Sequence, residues 1–197
     1  MKYKQKSLKN SLYFKGIGAH SGAKVELEVL PADAGHGIKF YRTDIDEYID
    51  ADFRNVTDTS LCTIISNENG ATVATIEHLM SALYGFGIDN ALIKVSGQEM
   101  PILDGSAKVY SDAIEEVGVV DLESTKQFIK VLKEVSIHVG DKWISLSPSE
   151  CFSVEATIDF AHPMIKKQSY RYNGVNNYAQ DIADSRTFGF VKDVEQL

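Results

Sequence analysis

The chain has 197 residues, 44% hydrophobic and 24% charged, with a formal net charge of −8, which allows a packed core in one or two domains and excludes wholesale disorder. Acidic residues outnumber basic ones by 28 to 20 and no basic cluster exceeds Lys166-Lys167, so a phosphate-tracking nucleic-acid surface is excluded. No run of 18 apolar residues occurs, and the basic start Met1-Lys2-Tyr3-Lys4-Gln5-Lys6 lacks an apolar segment behind it; neither a signal peptide nor stable membrane insertion is indicated, and a cytoplasmic location is expected.

Taken in order, Gly16-Ile17-Gly18-Ala19-His20-Ser21-Gly22 holds three glycines and predicts a loop whose backbone approaches something closely. Its spacing fits neither the P-loop nor the dinucleotide fingerprint, which leaves a phosphate cradle weakly supported. His20 is either a site residue or a loop histidine bonded to its own turn. Val25, Leu27 and Val29 alternate with Glu26 and Glu28, the pattern of a half-buried strand. Pro31 to Gly37 reads as a turn, with Ile38 to Tyr41 returning as the partner strand. Asp44 to Asp52 is acidic and exposed in character. Val56 to Ile65 carries β-branched residues around Leu61-Cys62 and leads to a turn at Asn67-Glu68-Asn69-Gly70. The two cysteines, Cys62 and Cys151, are too few and too far apart for a disulfide framework or a cysteine zinc site.

Thr75-Ile76-Glu77-His78-Leu79-Met80-Ser81-Ala82-Leu83-Tyr84-Gly85 is the centre of the chain. Ile76, Leu79, Met80 and Leu83 recur at the spacing of one buried helical face, with Thr75 as N-cap and Gly85 or Gly87 as stop. Glu77 and His78 then lie in the first turn, diverging by about 100°. A metal on His78 would meet Glu77 only as an outer neighbour, which suits a base rather than a second ligand. The position four residues after His78 is Ala82, so the helix carries no paired-histidine zinc motif. A dipole-favoured Glu and a surface His on an ordinary core helix account for the same two residues.

Ala91 to Val95 predicts a short buried strand. Pro101-Ile102-Leu103-Asp104-Gly105-Ser106 opens a second helix with Tyr110, Ile114 and Val117 inward and Gly118 as its end; Asp104 or Ser106 serves as its cap. The polar stretch Asp121 to Lys126 marks a boundary between domains at 1–123 and 124–197. Phe128 to Leu132, Glu134 to Val139, Lys142 to Leu146 and Phe152 to Phe160 read as strands. Lys142 to Ala156 loosely echoes Lys24 to Phe40, a sign of a duplicated unit. Tyr178 to Asp184 reads as a helix, Arg186 to Val191 as strand or ordered loop, and Phe190 to Leu197 as a helix that begins without a stop signal, so the chain is expected to end partway through its second domain.

Several motifs together resemble one family. Gly16 to Gly22, Arg42-Thr43-Asp44, Asp58-Thr59-Ser60-Leu61-Cys62, Thr75-Ile76-Glu77-His78-Leu79, Gly87-Ile88-Asp89-Asn90, Pro101 to Ser106, Asp141-Lys142-Trp143, Thr157-Ile158-Asp159-Phe160 and Arg186-Thr187-Phe188-Gly189-Phe190 run in the order found in the zinc-dependent UDP-3-O-acyl-N-acetylglucosamine deacetylases (the LpxC family) of lipid A synthesis. The resemblance implies an α+β fold of two similar two-layer α/β sandwich domains, the second incomplete in this chain. It implies Zn2+ as cofactor, His78 as a zinc ligand, Glu77 as general base and Thr187 as a hydroxyl near the tetrahedral intermediate. Lys142, Phe160 and Phe188 would contact a UDP-linked acylated amino sugar, Leu61 and Cys62 would flank the acyl-chain passage, and His20 joins them as a substrate-binding residue.

The family's remaining zinc ligands and a later acid/base histidine find no counterpart among His20, His36, His138 and His162, and a catalytic zinc takes three protein ligands with one position open. The expected function is zinc-dependent amide hydrolysis releasing acetate. The alternative is a non-catalytic fragment or sugar-nucleotide-binding module that lacks the rest of the ligand set.

Overall fold

A computed structural model describes residues 3–174 and 178–190. The fold is mixed α and β, strand-rich with few helices: β1 (Lys4–Leu8), β2 (Leu12–Ile17), β3 (Lys24–Pro31), β4 (Ile38–Arg42), β5 (Glu47–Asp50), β6 (Val56–Asp58), β7 (Ile64–Ser66), β8 (Thr72–Val73), α1 (Glu77–Gly85), β9 (Ala91–Val95), α2 (Lys108–Val117), β10 (Val119–Thr125), β11 (Val135–Val139), β12 (Lys142–Leu146), β13 (Val154–Phe160), β14 (Lys166–Tyr172) and α3 (Tyr178–Asp181). Two compact units result, one formed by the chain up to Lys126 together with Ala179 onward, the other by Gln127–Tyr178.

The first unit is built on a five-stranded sheet in the order β2-β3-β9-β4-β5. Val25, Leu27, Val29, Phe40, Ile49, Ile93 and Val95 are all buried in it, because strict alternation sends these side chains to one face. β4 does not return beside β3, as the turn at Pro31 suggests. β9 lies between them, antiparallel to β3 and parallel to β4. A hydrophobic alternation specifies which face a strand buries but not which strand is its neighbour, and the wholly apolar inner face of β9 takes the centre. The acidic stretch Asp44 to Asp52, expected to be exposed, contains β5, whose Ile49 is buried opposite Phe40.

Helices α1 and α2 pack on each other, and α2 lies against β2, where Phe14 and Tyr110 meet edge to face at 4.9 Å. Leu79, Ala82 and Leu83 are the buried face of α1, and Tyr110 and Ile114 that of α2. Met80 is only half-buried. Gly118 ends α2 at φ 81°, a conformation that favours glycine. β10 pairs with β1 and runs across residues 123 and 124, so the polar segment from Asp121 is part of a strand. Its charges are used: Glu123 pairs with Lys4 at 2.7 Å, and the neighbouring Lys126 with Asp89 at 2.8 Å.

Arg42 and Asp44 tie β4 to β8. The Arg42 guanidinium, almost fully buried, donates through Nε and Nη2 to the two Asp44 oxygens at 2.8 and 2.7 Å and through Nη1 to the Thr72 carbonyl at 2.6 Å. Hydrogen bonding from Arg42 outweighs burial and holds the Asp44 carboxyl below its ordinary 3.8. A carboxylate lowered in the folded state stabilises above its unfolded pKa and loses that contribution as pH falls through the folded value. Asp44→Asn should therefore cost about 1–2 kcal/mol at neutral pH, allowing for its partial exposure. In urea titrations the gap from wild type should close as pH falls below about 4; a gap independent of pH would count against the pair.

The second unit consists of two antiparallel hairpins, β11-β12 and β13-β14. β12 and β13 are not partners, just as β3 and β4 are not partners in the first unit. Phe128 to Leu132 forms no strand, and Phe128, Ile129 and Leu132 are strongly exposed; β-propensity without a partner edge does not make a strand. Lys166 to Tyr172, not anticipated from sequence, pairs with the whole of β13. The expected helix from Tyr178 stops at Asp181, and 186–190 form no strand. The helix expected from Phe190 falls, after its first residue, outside the described residues.

Candidate active site around the first turn of α1

α1 begins at Glu77, so Glu77 and His78 occupy its first turn, both half-buried. Thr75, expected as N-cap, does not cap. Ile76 holds that position without a side-chain bond. Thr75 has φ 61° and turns its hydroxyl to Glu99 Oε1 at 3.3 Å. A β-branched residue at positive φ is strained, and such strain gathers at functional sites.

Glu77 Oε2 accepts the backbone N–H of Thr63 at 3.1 Å, which ties the loop carrying Leu61 and Cys62 to the start of α1. Leu61 is 75% exposed, and Cys62 is a half-buried thiol. Asp58 closes the front of this loop by accepting from the Ser60 N–H and hydroxyl at 2.9 and 2.7 Å. One Glu77 oxygen is thus held by an amide while the other has no hydrogen-bond partner among the described residues. A carboxylate oriented in this way can take a proton from water.

The glycine loop is a cradle, but for a carboxylate of the same chain. The N–H groups of His20 and Ser21 donate to Glu99 Oε1 and Oε2 at 2.9 and 2.8 Å, and a Cβ on Gly18 would collide with that carboxylate. Amides satisfied internally do not hold a phosphate, which removes the phosphate-cradle reading. The His20 side chain is exposed.

Both helices begin at one place in the fold. Ala74 bridges Glu99, and the Tyr110 hydroxyl in the first turn of α2 donates to the Pro101 carbonyl at 3.0 Å. Both helices end toward β1, where Asp89 N donates to Lys6 O and Lys9 N to Gly118 O. Thr187, from the far end of the chain, lies against the loop before α2, its N–H donating to the Gly105 carbonyl at 2.8 Å, while Arg186 reaches Asp104 at 3.1 Å. Asp104, with its carboxyl lowered chiefly by Ser106, accepts from Ser106 N and Oγ, and Ser106 Oγ accepts from Lys108 N. Neither residue is the cap expected of it: Ala107 holds the N-cap position without a side-chain bond, and Asp104 and Ser106 order the loop just before it. Phe188 is half exposed and stands edge to face with Phe190 at 5.8 Å.

The structure therefore gathers Leu61, Cys62, Glu77 and His78 at one helix start and links His20 to it through Glu99 and Thr75. Lys142 heads β12 opposite Val139, and Phe160 ends β13 opposite Lys166; both belong to the second unit. Among the described residues no three His, Cys, Asp or Glu side chains stand close enough to hold a metal. His78 alone does not fit a catalytic zinc, which takes three protein donors. Glu99 and Thr63 are missing from the sequence-level picture. Their partners lie 79 and 14 residues away, separations to which periodicity and capping rules are blind.

No helix among the described residues is long and apolar enough to cross a membrane. Residues 5–197 match the family described as UDP-3-O-acyl N-acetylglycosamine deacetylase. The UDP-3-O-acyl-N-acetylglucosamine deacetylase of Psychrobacter sp. is 46% identical over 98% of this chain and 67% of its own length. That of Nautilia profundicola is 47% identical over 98% and 66%, and that of Myxococcus xanthus 44% over 99% and 63%. The chain spans about two thirds of the length of these relatives. On the strength of a match that runs from residue 5 to residue 197, the chain belongs to the UDP-3-O-acyl N-acetylglycosamine deacetylase family.

Proposed function

We propose that the protein hydrolyses the acetamide of a UDP-linked, 3-O-acylated N-acetylglucosamine, releasing acetate, as a step toward lipid A in the cytoplasm. The observation that carries this reading is Glu77, a half-buried carboxylate anchored on one oxygen by the Thr63 amide at the start of α1, in a chain of this family. Zinc is the cofactor of the reading, with His78 as one donor and the other donors outside the described residues.

Glu77 takes a proton from the attacking water, whose oxygen bonds to the acetamide carbon. The Thr187 hydroxyl donates to the oxyanion; the C–N bond then breaks, the proton held by Glu77 returns to the amine, and acetate leaves. Leu61 and Cys62 flank the acyl chain, and His20, Lys142, Phe160 and Phe188 bind the sugar nucleotide. Lys142 and Phe160 bring the second unit into this reading as the start of a second sandwich domain like the first. The exposed Ile137, Trp143, Ile144 and Leu146 of β11-β12 support that, since a sheet buries apolar side chains by packing against another layer.

The test is acetate release from the acylated substrate by the full-length protein, wild type against Thr187→Val. Loss of one oxyanion donor should lower kcat about 10²–10³-fold. Wild type without turnover would defeat the hydrolase reading in favour of a sugar-nucleotide-binding module. An active Thr187→Val would remove Thr187 alone.

A further inference from the structure

We propose that Glu99 is a positioning residue: its buried carboxylate clasps the His20-Ser21 loop to Thr75 and thereby sets the direction in which Glu77 and His78 leave the start of α1. This deepens the reading of Glu77 and His78 given above and rests on it.

Glu99 is only 3% exposed. Its backbone is clamped on both sides, with Ala74 N donating to Gln98 O at 2.9 Å and Met100 N to Ala74 O at 3.0 Å. Its carboxylate accepts from His20 N, Ser21 N and the Thr75 hydroxyl, and no Lys or Arg pairs with it among the described residues. Burial, the largest influence, would raise this carboxyl, but hydrogen bonds from Ser21 and His20 hold it below its usual value, so it is ionised at neutral pH. A buried carboxylate without a cationic partner is costly unless several donors satisfy it, and an apolar side chain would fill the space more cheaply. What the carboxylate adds is alignment. It accepts from both the glycine loop and Thr75, and Thr75 holds a left-handed backbone two residues before Glu77. Gly18 lets the loop close onto it, since any Cβ there would overlap the carboxylate. A shift of about 1 Å in a reacting group can cost roughly 100-fold in rate, so a fixed approach to α1 bears on turnover rather than on substrate affinity.

The experiment compares Glu99→Gln and Thr75→Val with wild type in the full-length protein, reading kcat and KM for acetate release and the backbone amide NMR signals of His20, Ser21, Glu77 and His78. Gln keeps size and polarity but removes the charge and one acceptor oxygen. Val keeps the β-branched shape and removes only the hydroxyl. The expected result is kcat lower by about tenfold or more with KM within about threefold, and displaced Glu77 and His78 signals in both variants. Folded Glu99→Gln with kcat and those signals unchanged overturns the proposal. If Glu99→Gln does not fold, Thr75→Val decides by the same readings. If wild type is inactive, the hydrolase reading falls, while the amide signals still decide the clasp: displacement of Glu77 and His78 upholds it and its absence overturns it.

Discussion

Glu77→Ala should lower the kcat of the full-length protein by about 10²–10⁴-fold, the usual worth of a positioned general base, with KM changed by less than about threefold and zinc content unaltered. The expectation follows from geometry. Glu77 stands one residue before His78, where successive helical positions diverge, and its Oε2 is committed to the Thr63 amide. On the proposed reading, its removal would delete the proton acceptor without deleting a metal donor. Glu77→Gln separates two effects that Ala merges. Gln can still accept from Thr63 and keep the loop at Leu61-Cys62 in place, yet it cannot take a proton, so it should be as inactive as Ala. Elemental analysis after dialysis, read beside the rate, gives the check. Loss of zinc in both variants would make Glu77 a ligand, and turnover within tenfold of wild type would assign the proton to another group.

Phe40→Ala should cost about 3–5 kcal/mol, a large share of the 5–15 kcal/mol that holds a typical domain together. Phe40 is fully buried in β4 between Ile49 on β5 and Ile93 on β9, at the point where the parallel pair meets the antiparallel edge. β9 cannot move in to fill the void, because it is paired on both of its edges. Urea denaturation should show a lower midpoint at unchanged slope, and thermal unfolding a fall of roughly 6–20 °C for a chain of this size. Tyr48→Ala on the neighbouring β5, an exposed aromatic stacked on Tyr41 at 4.5 Å, should cost far less. Equal losses at the two positions would contradict a core centred on Phe40.

What could be read from the chain by itself was whatever depends on near neighbours. Alternation marked the buried face of β3, a short apolar run marked β9, the spacing of Leu79 and Leu83 marked α1, and the turn at Asn67 formed as expected, its side chain accepting from Asn69 N and Ala71 N at 3.0 Å each. The order of motifs also identified the family, since side-chain chemistry at fixed spacing survives where pairing cannot be seen. The tertiary structure alone decided which strands are neighbours, because β9 displaces β4 from β3 through contacts more than fifty residues apart in sequence. It likewise turned Thr75 from an expected helix cap into a residue of left-handed backbone bonded to Glu99, and filled the glycine loop with the Glu99 carboxylate. Capping and loop rules weigh local hydrogen bonds, and here a buried charge from a distant turn offers the same donors a stronger acceptor.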